Sequence, residues 1–547
     1  MTRQQTAIVT GGARGIGRAT AERFAADDDY DIVALFDVDE SVQDVAEEIE
    51  GGVGYQVDVA DQAAVFEAVE DLEESHEARI EAAINNAGIS RYFWIEDLEP
   101  SEWKHVLDVN LKGQYNVARA VTPGMYRRGS GAMVNISSGA GTRGSVSGGV
   151  HYSASKGGVL GLSRGLAKQL SPHVRVNCVI PGLIQTSIGE ADDEEAGLWT
   201  ESGIETMLGL VLLRRYGEPS EVANVIHFLC TEDASYVTGS EVTVNGGSHL
   251  MPTQDFLMPE QATKPAADAG PPTGKTAALV TGGGRGIGKA TAERFAADDA
   301  HNVVAILDID DVAHETAAEL DGGVGFQVDV SDHDAVQEVV AEIEADADLT
   351  AVVNNAAITE YYWIEDLEPD RWDHVLDVNL TGQYNVARWA TPPMFRRGTG
   401  TVVNVSSGAG TKGSVSGGVH YSASKGGVLG LNRGLAKQLS PHVRVNCVIP
   451  GAIETTIGQR GNDEGLFTEE GIETMRKLTP MQRAGQPDEV ASVIHYLCSD
   501  DTSFVTGGEW NVNGGSHLMP TQRFLMPEQS LKPESAGDVS ESGTRGR

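Results

Sequence analysis

The chain predicts two doubly wound α/β domains in tandem, each a parallel sheet covered by helices on both faces. Three observations carry this prediction. Residues 144–182 and 413–451 are identical except for Ser163 against Asn432, so the chain is a duplication. Within each copy, short apolar runs alternate with amphipathic segments. A glycine-rich turn follows the first apolar run in both copies.

The elements follow in order. In the first copy the apolar runs lie at 7–10, 32–36, 80–84, 132–136, 174–179 and 241–244, with helical patterns such as 18–26 and 102–119 between them. Runs of this length without alternation mark strands buried on both faces, and helical crossovers make such strands parallel. Asp58 and Val59, with Asp329 and Val330, are expected to close a third strand. The repeat offset is 271 residues at the first glycine loop, 269 in the identical block and 268 near the C-terminus, so only small insertions separate the copies. The first domain is placed at 1–258 and the second at 275–529. A unit of about 250 residues buries enough apolar surface to fold on its own core. Residues 259–274, with Pro265, Pro271 and Pro272, have the composition of a linker. Residues 530–547 are polar and expected to be disordered.

Charge narrows the partners. With 80 acidic and 40 basic residues in 547, the net charge is −40. Nucleic acid and anionic membranes are poor partners for such a surface. The acids occur along both copies, as at 27–29, 190–195 and 346–348, which fits a solvated surface suited to high salt better than an acidic partner-binding tail. The four cysteines, Cys178, Cys230, Cys447 and Cys498, form two repeat-related pairs in apolar surroundings without metal-binding spacing. They are expected to be buried free thiols in a reducing compartment. The chain enters a strand almost at once and has no run of apolar residues long enough to span a bilayer. A cytoplasmic location is expected.

The glycine turn has the pattern Gly-x-x-x-Gly-x-Gly: Gly11, Gly15 and Gly17 in one copy, Gly282, Gly286 and Gly288 in the other. Arg14 and Ile16 lie within it, as do Arg285 and Ile287. Glycines there let the backbone approach a pyrophosphate, which the following helix N-terminus favours. Such a loop alone is weak evidence; following a strand, opening a helix and occurring twice strengthens it. About 20 residues on, the second run ends in Asp37, matched by Asp308. A carboxylate at that place can accept both ribose hydroxyls and would repel a 2′-phosphate, which favours NAD over NADP. Arg14 and Arg285 could instead pair with a phosphate. Asn86 and Asn355, in Asn-Asn-Ala-Gly and Asn-Asn-Ala-Ala, follow the fourth run on the same ligand-binding edge.

Tyr152 and Lys156 are four residues apart, on one face of a helix, and recur as Tyr421 and Lys425. An adjacent ammonium should lower the phenol pKa and make it a usable acid/base. Ser138 ends the preceding strand and Asn110 sits in the helical pattern upstream. Ser407 and Asn379 hold the same places in the second copy.

Together these motifs resemble two fused short-chain dehydrogenase/reductase (SDR) domains, over nearly the whole chain apart from linker and tail. The resemblance implies a Rossmann-like domain per copy and hydride transfer between a nicotinamide and a carbonyl or alcohol carbon of a small molecule. It implies that Tyr152 is the acid/base, that Lys156 lowers its pKa and holds the nicotinamide ribose, and that Ser138 bonds the substrate oxygen. Asn110 would help hold a relay water near Lys156. Pro181, Gly182, Ile184 and Thr186 would flank the nicotinamide, as would Pro450, Gly451, Ile453 and Thr455. One departure is Ala357 where the first copy has Gly88, an extra methyl expected to crowd the backbone without silencing the second copy. Neither copy has lost a catalytic residue, which argues against the alternative of a nucleotide-binding sensor or scaffold. The family also commonly forms tetramers, so a dimer of fused chains could imitate one.

The substrate end is less specific. Tyr92, Phe93 and Trp94, against Tyr361, Tyr362 and Trp363, could stack on a substrate ring or simply pack a loop. Residues 187–209 fall where the family carries a lid, and the two lids differ at 191–199 and 459–467. Residues 245–261 and 513–529 match except at Asp255 and Arg523. These apolar tails are expected to pack either across an interface near a neighbouring site or on their own domain. No residue names the substrate among sugars, polyols, hydroxyacyl thioesters and keto compounds.

Overall fold

A computed structural model describes residues 3–91, 93, 97–145, 148–186, 201–250, 272–362, 366–414, 417–455 and 469–519. Tyr92, Trp94, Trp363, most of both lid segments, nearly all of the linker and the tails beyond 250 and 519 lie outside the described residues.

The first half carries β1 (Gln4–Thr10), β2 (Ile32–Asp37), β3 (Gly52–Gln56), β4 (Ala78–Asn85), β5 (Ala132–Ile136), β6 (Arg175–Pro181) and β7 (Glu241–Val244). The second repeats them as β8 (Thr276–Thr281), β9 (Val303–Asp308), β10 (Gly323–Gln327), β11 (Asp348–Asn354), β12 (Thr401–Val405), β13 (Arg444–Pro450) and β14 (Glu509–Val512). The strand orders are β3-β2-β1-β4-β5-β6-β7 and β10-β9-β8-β11-β12-β13-β14, with every pairing parallel. Residues such as Ile8, Val9, Ala34 and Leu35 are fully buried, as strands covered on both faces require. The strand order reverses at β1 and β4, and a crevice opens there beyond the strand C-termini, where such sheets bind ligands.

Two local expectations are corrected. The third strand stops at Gln56 in the first half and its counterpart at Gln327 in the second, so Asp58, Val59, Asp329 and Val330 lie in the loops beyond. There Asp58 Oδ1 accepts from the Ala60 N–H and Asp329 Oδ1 from the Ser331 N–H, both at 2.9 Å. The continuous helix expected over 102–119 is interrupted. Helix Pro100–Leu107 passes into a π-helical turn, Asp108–Lys112, before helix Gly113–Arg128. Such turns are frequent at functional sites, and this one carries Asn110. Among the cysteines, Cys178, Cys230 and Cys447 are buried free thiols, whereas Cys498 is only partly buried.

The halves share one hydrophobic core cluster. The contacts between them are reciprocal, as in a two-fold interface. Phe228 and Tyr496 stack at 3.8 Å with nearly parallel rings. Ser235 donates to Glu489 at 2.8 Å and Ser503 to Glu221 at 2.5 Å. His249 Nε2 meets the Gly507 carbonyl at 3.1 Å, and His517 Nε2 the Gly239 carbonyl at 3.0 Å. Leu250 packs on the core of the second half and Leu518 on that of the first. The described start of each tail therefore crosses to the other half.

Candidate active site

The glycine loops are built so that only glycine fits. Gly11 and Gly15 have φ of +65° and +56°. A methyl on Gly17 would stand 1.8 Å from the Gly11 carbonyl oxygen, so the helix start packs directly on the loop. Thr10 Oγ1 accepts from the N–H groups of Asn86 and Ala87, both at 3.0 Å, and ties β1 to the end of β4. Asn86 Nδ2 donates to the Thr10 and Gly11 carbonyls at 3.0 and 3.2 Å, and Asn355 repeats this at 3.0 and 3.1 Å. These asparagines brace the loop from below. Thr10 and Thr281 organise the joint; each heads its glycine motif in the sequence, where nothing local assigns it a role.

Asp37 and Asp308 sit at the ends of β2 and β9. One oxygen of each accepts from the loop, from Ala13 N–H at 3.0 Å and Gly284 N–H at 3.1 Å. The other accepts from the N–H two residues on, at 3.1 and 3.3 Å. Arg285 pairs with Asp310 and stands 3.9 Å from Asp308, so its charge is already engaged by carboxylates.

In the second half a cavity of about 410 Å³ collects most of the expected residues. Its wall includes Gly282, Arg285, Gly286, Ile287, Asp308, Asp329, Val330 and Asn355 on the loop side. Ser407, Tyr421, Lys425, Pro450, Gly451, Ile453 and Thr455 complete the other side. Gly288 and Asn379 do not line it. Gly288 packs on the loop backbone. Asn379 is fully buried behind the wall: its Oδ1 accepts from Ile358 N–H at 2.8 Å, and its Nδ2 donates to the Ile358 carbonyl and to Ser424 Oγ at 2.9 and 3.1 Å. Asn110 makes the same three bonds with Ile89 and Ser155. The π-helical turn thus clamps the loop after β4 to the helix that carries the Tyr/Lys pair, Gly149–Leu170 in the first half and Gly418–Leu439 in the second.

Lys156 and Lys425 are buried, and each Nζ donates to a β-strand-end carbonyl, Ile136 or Val405, at 3.0 Å. Burial lowers both ammonium groups to a pKa of about 8. Each Nζ lies 5.9 Å from the centre of its tyrosine ring. The expected lowering of the tyrosine pKa is not found in the protein alone. Burial raises Tyr152 and Tyr421, and a hydrogen bond with Ser138 or Ser407 pulls the other way. Helical spacing places the lysine beside the ring, but desolvation outweighs it. Ser138 and Ser407 begin short helices, each Oγ accepting from the N–H two residues on at 3.2 Å.

The Gly88 departure is more specific than expected. A methyl built there lies 3.2 Å from Lys156 Nζ and 3.3 Å from Asn110 Oδ1, and 3.8 Å from the nearest backbone atom. It presses on the Lys156 and Asn110 side chains and not on the backbone. His151 and His420, one residue before each tyrosine, are fully buried, and their ring nitrogens have no hydrogen-bond partner among the described residues. They stand 5.9 Å from Phe93 and 6.1 Å from Tyr362, and burial holds them toward the neutral form.

Fold and site together define an α/β oxidoreductase architecture present twice. A family model described as enoyl-(acyl carrier protein) reductase matches residues 11–249 and again 282–517. An uncharacterized short-chain type dehydrogenase/reductase of Sinorhizobium fredii is 32% identical over 519 residues, 93% of this chain and 91% of that protein. A 3-oxoacyl-[acyl-carrier-protein] reductase of Thermotoga maritima is 38% identical over 245 residues, 44% of this chain and 96% of its own length. A crystal structure of a 3-oxoacyl-[acyl-carrier protein] reductase with bound NAD from Brucella melitensis is 33% identical, covers 45% of this chain and 90% of that one, and has a TM-score of 0.39. The chain belongs to the short-chain dehydrogenase/reductase family, with one family domain in each half. Among the described residues, no helix is long and apolar enough to cross a membrane.

Proposed function

We propose that each half, taken as 1–258 and 275–529, is a working nicotinamide-dependent oxidoreductase acting on a small carbonyl or secondary alcohol. The observation that carries this reading is the meeting of Ser407, Tyr421 and Lys425 with the glycine loop and Asp308 around one cavity. The same bonds recur in the first half.

The residues fit a dinucleotide. Glycines at 11, 15 and 17 leave no side chain between the loop backbone and a pyrophosphate, and the helix behind them favours the anion. Asp37 and Asp308, at the ends of β2 and β9, would take a ribose, and the engagement of Arg285 by Asp308 and Asp310 supports NAD over NADP. Pro181, Gly182, Ile184 and Thr186, with their counterparts Pro450, Gly451, Ile453 and Thr455, would bound the nicotinamide. When bound, that group supplies or accepts the hydride. The chain's residues handle the proton. Tyr152 Oη would give it to, or take it from, the substrate oxygen, while Ser138 hydrogen-bonds that oxygen. Lys156 would hold the nicotinamide ribose. Asn110 keeps the loop and the catalytic helix in register. The copies divide turnover.

The test is a dehydrogenase screen in high salt, following NADH and NADPH absorbance across sugars, polyols and hydroxy acids. Tyr152→Phe with Tyr421→Phe abolishes turnover, and either alone leaves about half on a substrate that both sites accept equally. Full activity in the double variant overturns the mechanism. The spread of acids supports a salt-rich cytoplasm as the working milieu. A dimer of fused chains would bring four such domains together and so imitate a family tetramer.

A further inference from the structure

The halves differ in sign at one matched pair of residues beside the site. In the first half Arg91, just past β4, pairs with Glu102 on helix Pro100–Leu107 at 3.1 Å. At the equivalent positions, 269 residues on, the second half has Glu360 and Arg371, paired at 3.7 Å. The charges are exchanged while the tether is kept. The backbone is in the same place in both halves. A methyl on Gly149 would stand 3.6 Å from the Arg91 carbonyl oxygen, and one on Gly418 would stand 3.6 Å from that of Glu360.

Glu360 lines the cavity with Thr359, Ser407 and Tyr421. Its Oε2 is buried without a hydrogen-bond partner among the described residues, while Arg371 is half exposed. An exposed ion pair tethers a loop equally well in either orientation, so stability does not call for the exchange. Glu360 lines the cavity and its partner Arg371 does not, so the pair, though mutually engaged, presents the sign of its nearer member to the cavity, and low-dielectric surroundings strengthen that field. The interchange also escapes a reading by motif, since neither residue belongs to one.

We propose that the two sites divide substrates by charge. The first half takes carbonyl or alcohol substrates carrying an anionic group, a carboxylate or a phosphate, which Arg91 attracts. The second half takes neutral ones, because Glu360 repels such a group. The division rests on the oxidoreductase reading given above.

The test uses the full chain with one site live at a time: Tyr421→Phe for the first, Tyr152→Phe for the second. Matched probes are acetoacetate against acetoacetamide, and dihydroxyacetone phosphate against dihydroxyacetone. The readouts are the ratio of KM values within each pair and, independently of turnover, quenching of bound NADH fluorescence by the same probes in the two pair-transplanted chains, in each of which both sites carry the same sign. The first site favours an anionic member by about tenfold, and the second favours the neutral member by a similar factor, both at the lowest salt at which the chain stays folded, with the preference shrinking as salt rises. An effect on the carboxylate pair alone or the phosphate pair alone supports the division and names the anion. Moving the whole ion pair reverses each preference: R91E with E102R in the first half, E360R with R371E in the second. Each transplanted pair already exists in the other half, so folding is not at stake. Equal ratios at both sites, ratios unmoved by the transplants, or equal quenching (none included) by both members of each pair overturn the division. Unequal quenching without turnover in either variant would instead sink the oxidoreductase reading and leave the charge division standing.

Discussion

Replacing Phe504 with Ala removes a ring that the second half inserts beneath the active-site loop of the first. Phe504 is fully buried. It fills a slot between Gly217 and Gly246, where added methyls would fall 2.5 and 2.6 Å from the ring. The Arg215 guanidinium lies 5.0 Å over its face. Gly217 is bonded to the loop that carries Ile184 and Thr186: Gln185 N–H donates to the Gly217 carbonyl and Gly217 N–H to the Leu183 carbonyl, both at 2.9 Å. Truncating a buried phenylalanine costs about 3–5 kcal/mol. Losing the contact with a partly exposed arginine adds roughly 0.5–1 kcal/mol. The expected cost is therefore about 3.5–6 kcal/mol, and the cavity opens at the first site. Urea unfolding of the full chain at fixed salt measures the loss. The KM for NADH during turnover in the Tyr421→Phe and Tyr152→Phe backgrounds, where only one site turns over, locates it. The first site should weaken more than the second, and Tyr236→Ala should do the reverse, because Tyr236 fills the matching slot between Gly485 and Gly514. A cost below about 1 kcal/mol, or equal weakening at both sites, refutes the reasoning.

Two further outcomes follow from the same geometry. Gly88→Ala should lower kcat/KM at the first site by about fivefold, roughly 1 kcal/mol of overpacking against Lys156 and Asn110, while Ala357→Gly raises it at the second; unchanged kinetics in both would show that the methyl is accommodated. The buried lysines predict a pH effect on stability. Their folded pKa is depressed from 10.5 to about 8. Between those values the unfolded chain binds more protons than the folded one, so their contribution to stability rises with pH across the window, by roughly 3 kcal/mol per lysine. Buried thiols such as Cys178, raised to about 12, act in the opposite sense from pH 9 upward. The comparison is therefore wild type against Lys156→Met with Lys425→Met, in denaturation midpoints from pH 8 to 10. Parallel curves would mean that the lysines are not depressed.

What could be read from the sequence divides along the range of the interactions involved. The strands were legible because burial on both faces leaves unbroken apolar runs, as at Ala7–Val9 and Val33–Leu35. The glycine loop and the Tyr152/Lys156 spacing were legible because both are local geometry. The π-helical turn at Asp108–Lys112 was not, since its cause is the reach of Asn110 to Ile89 and Ser155, residues distant in the chain. The same limit hid the tyrosine pKa: spacing places Lys156 beside Tyr152, but only the packed site shows that desolvation prevails. The aromatic wedges Tyr236 and Phe504 look like ordinary core residues until the partner glycines face them. The Arg91/Glu102 and Glu360/Arg371 exchange sits between these cases. Each residue taken alone reads as a surface charge. Superposing the copies shows that a pair changed together, and the fold places one member on the cavity wall. Duplication thus keeps the bonds that make the chemistry and frees the sign of a charge beside it, so the difference between the halves is better evidence about substrates than anything they share.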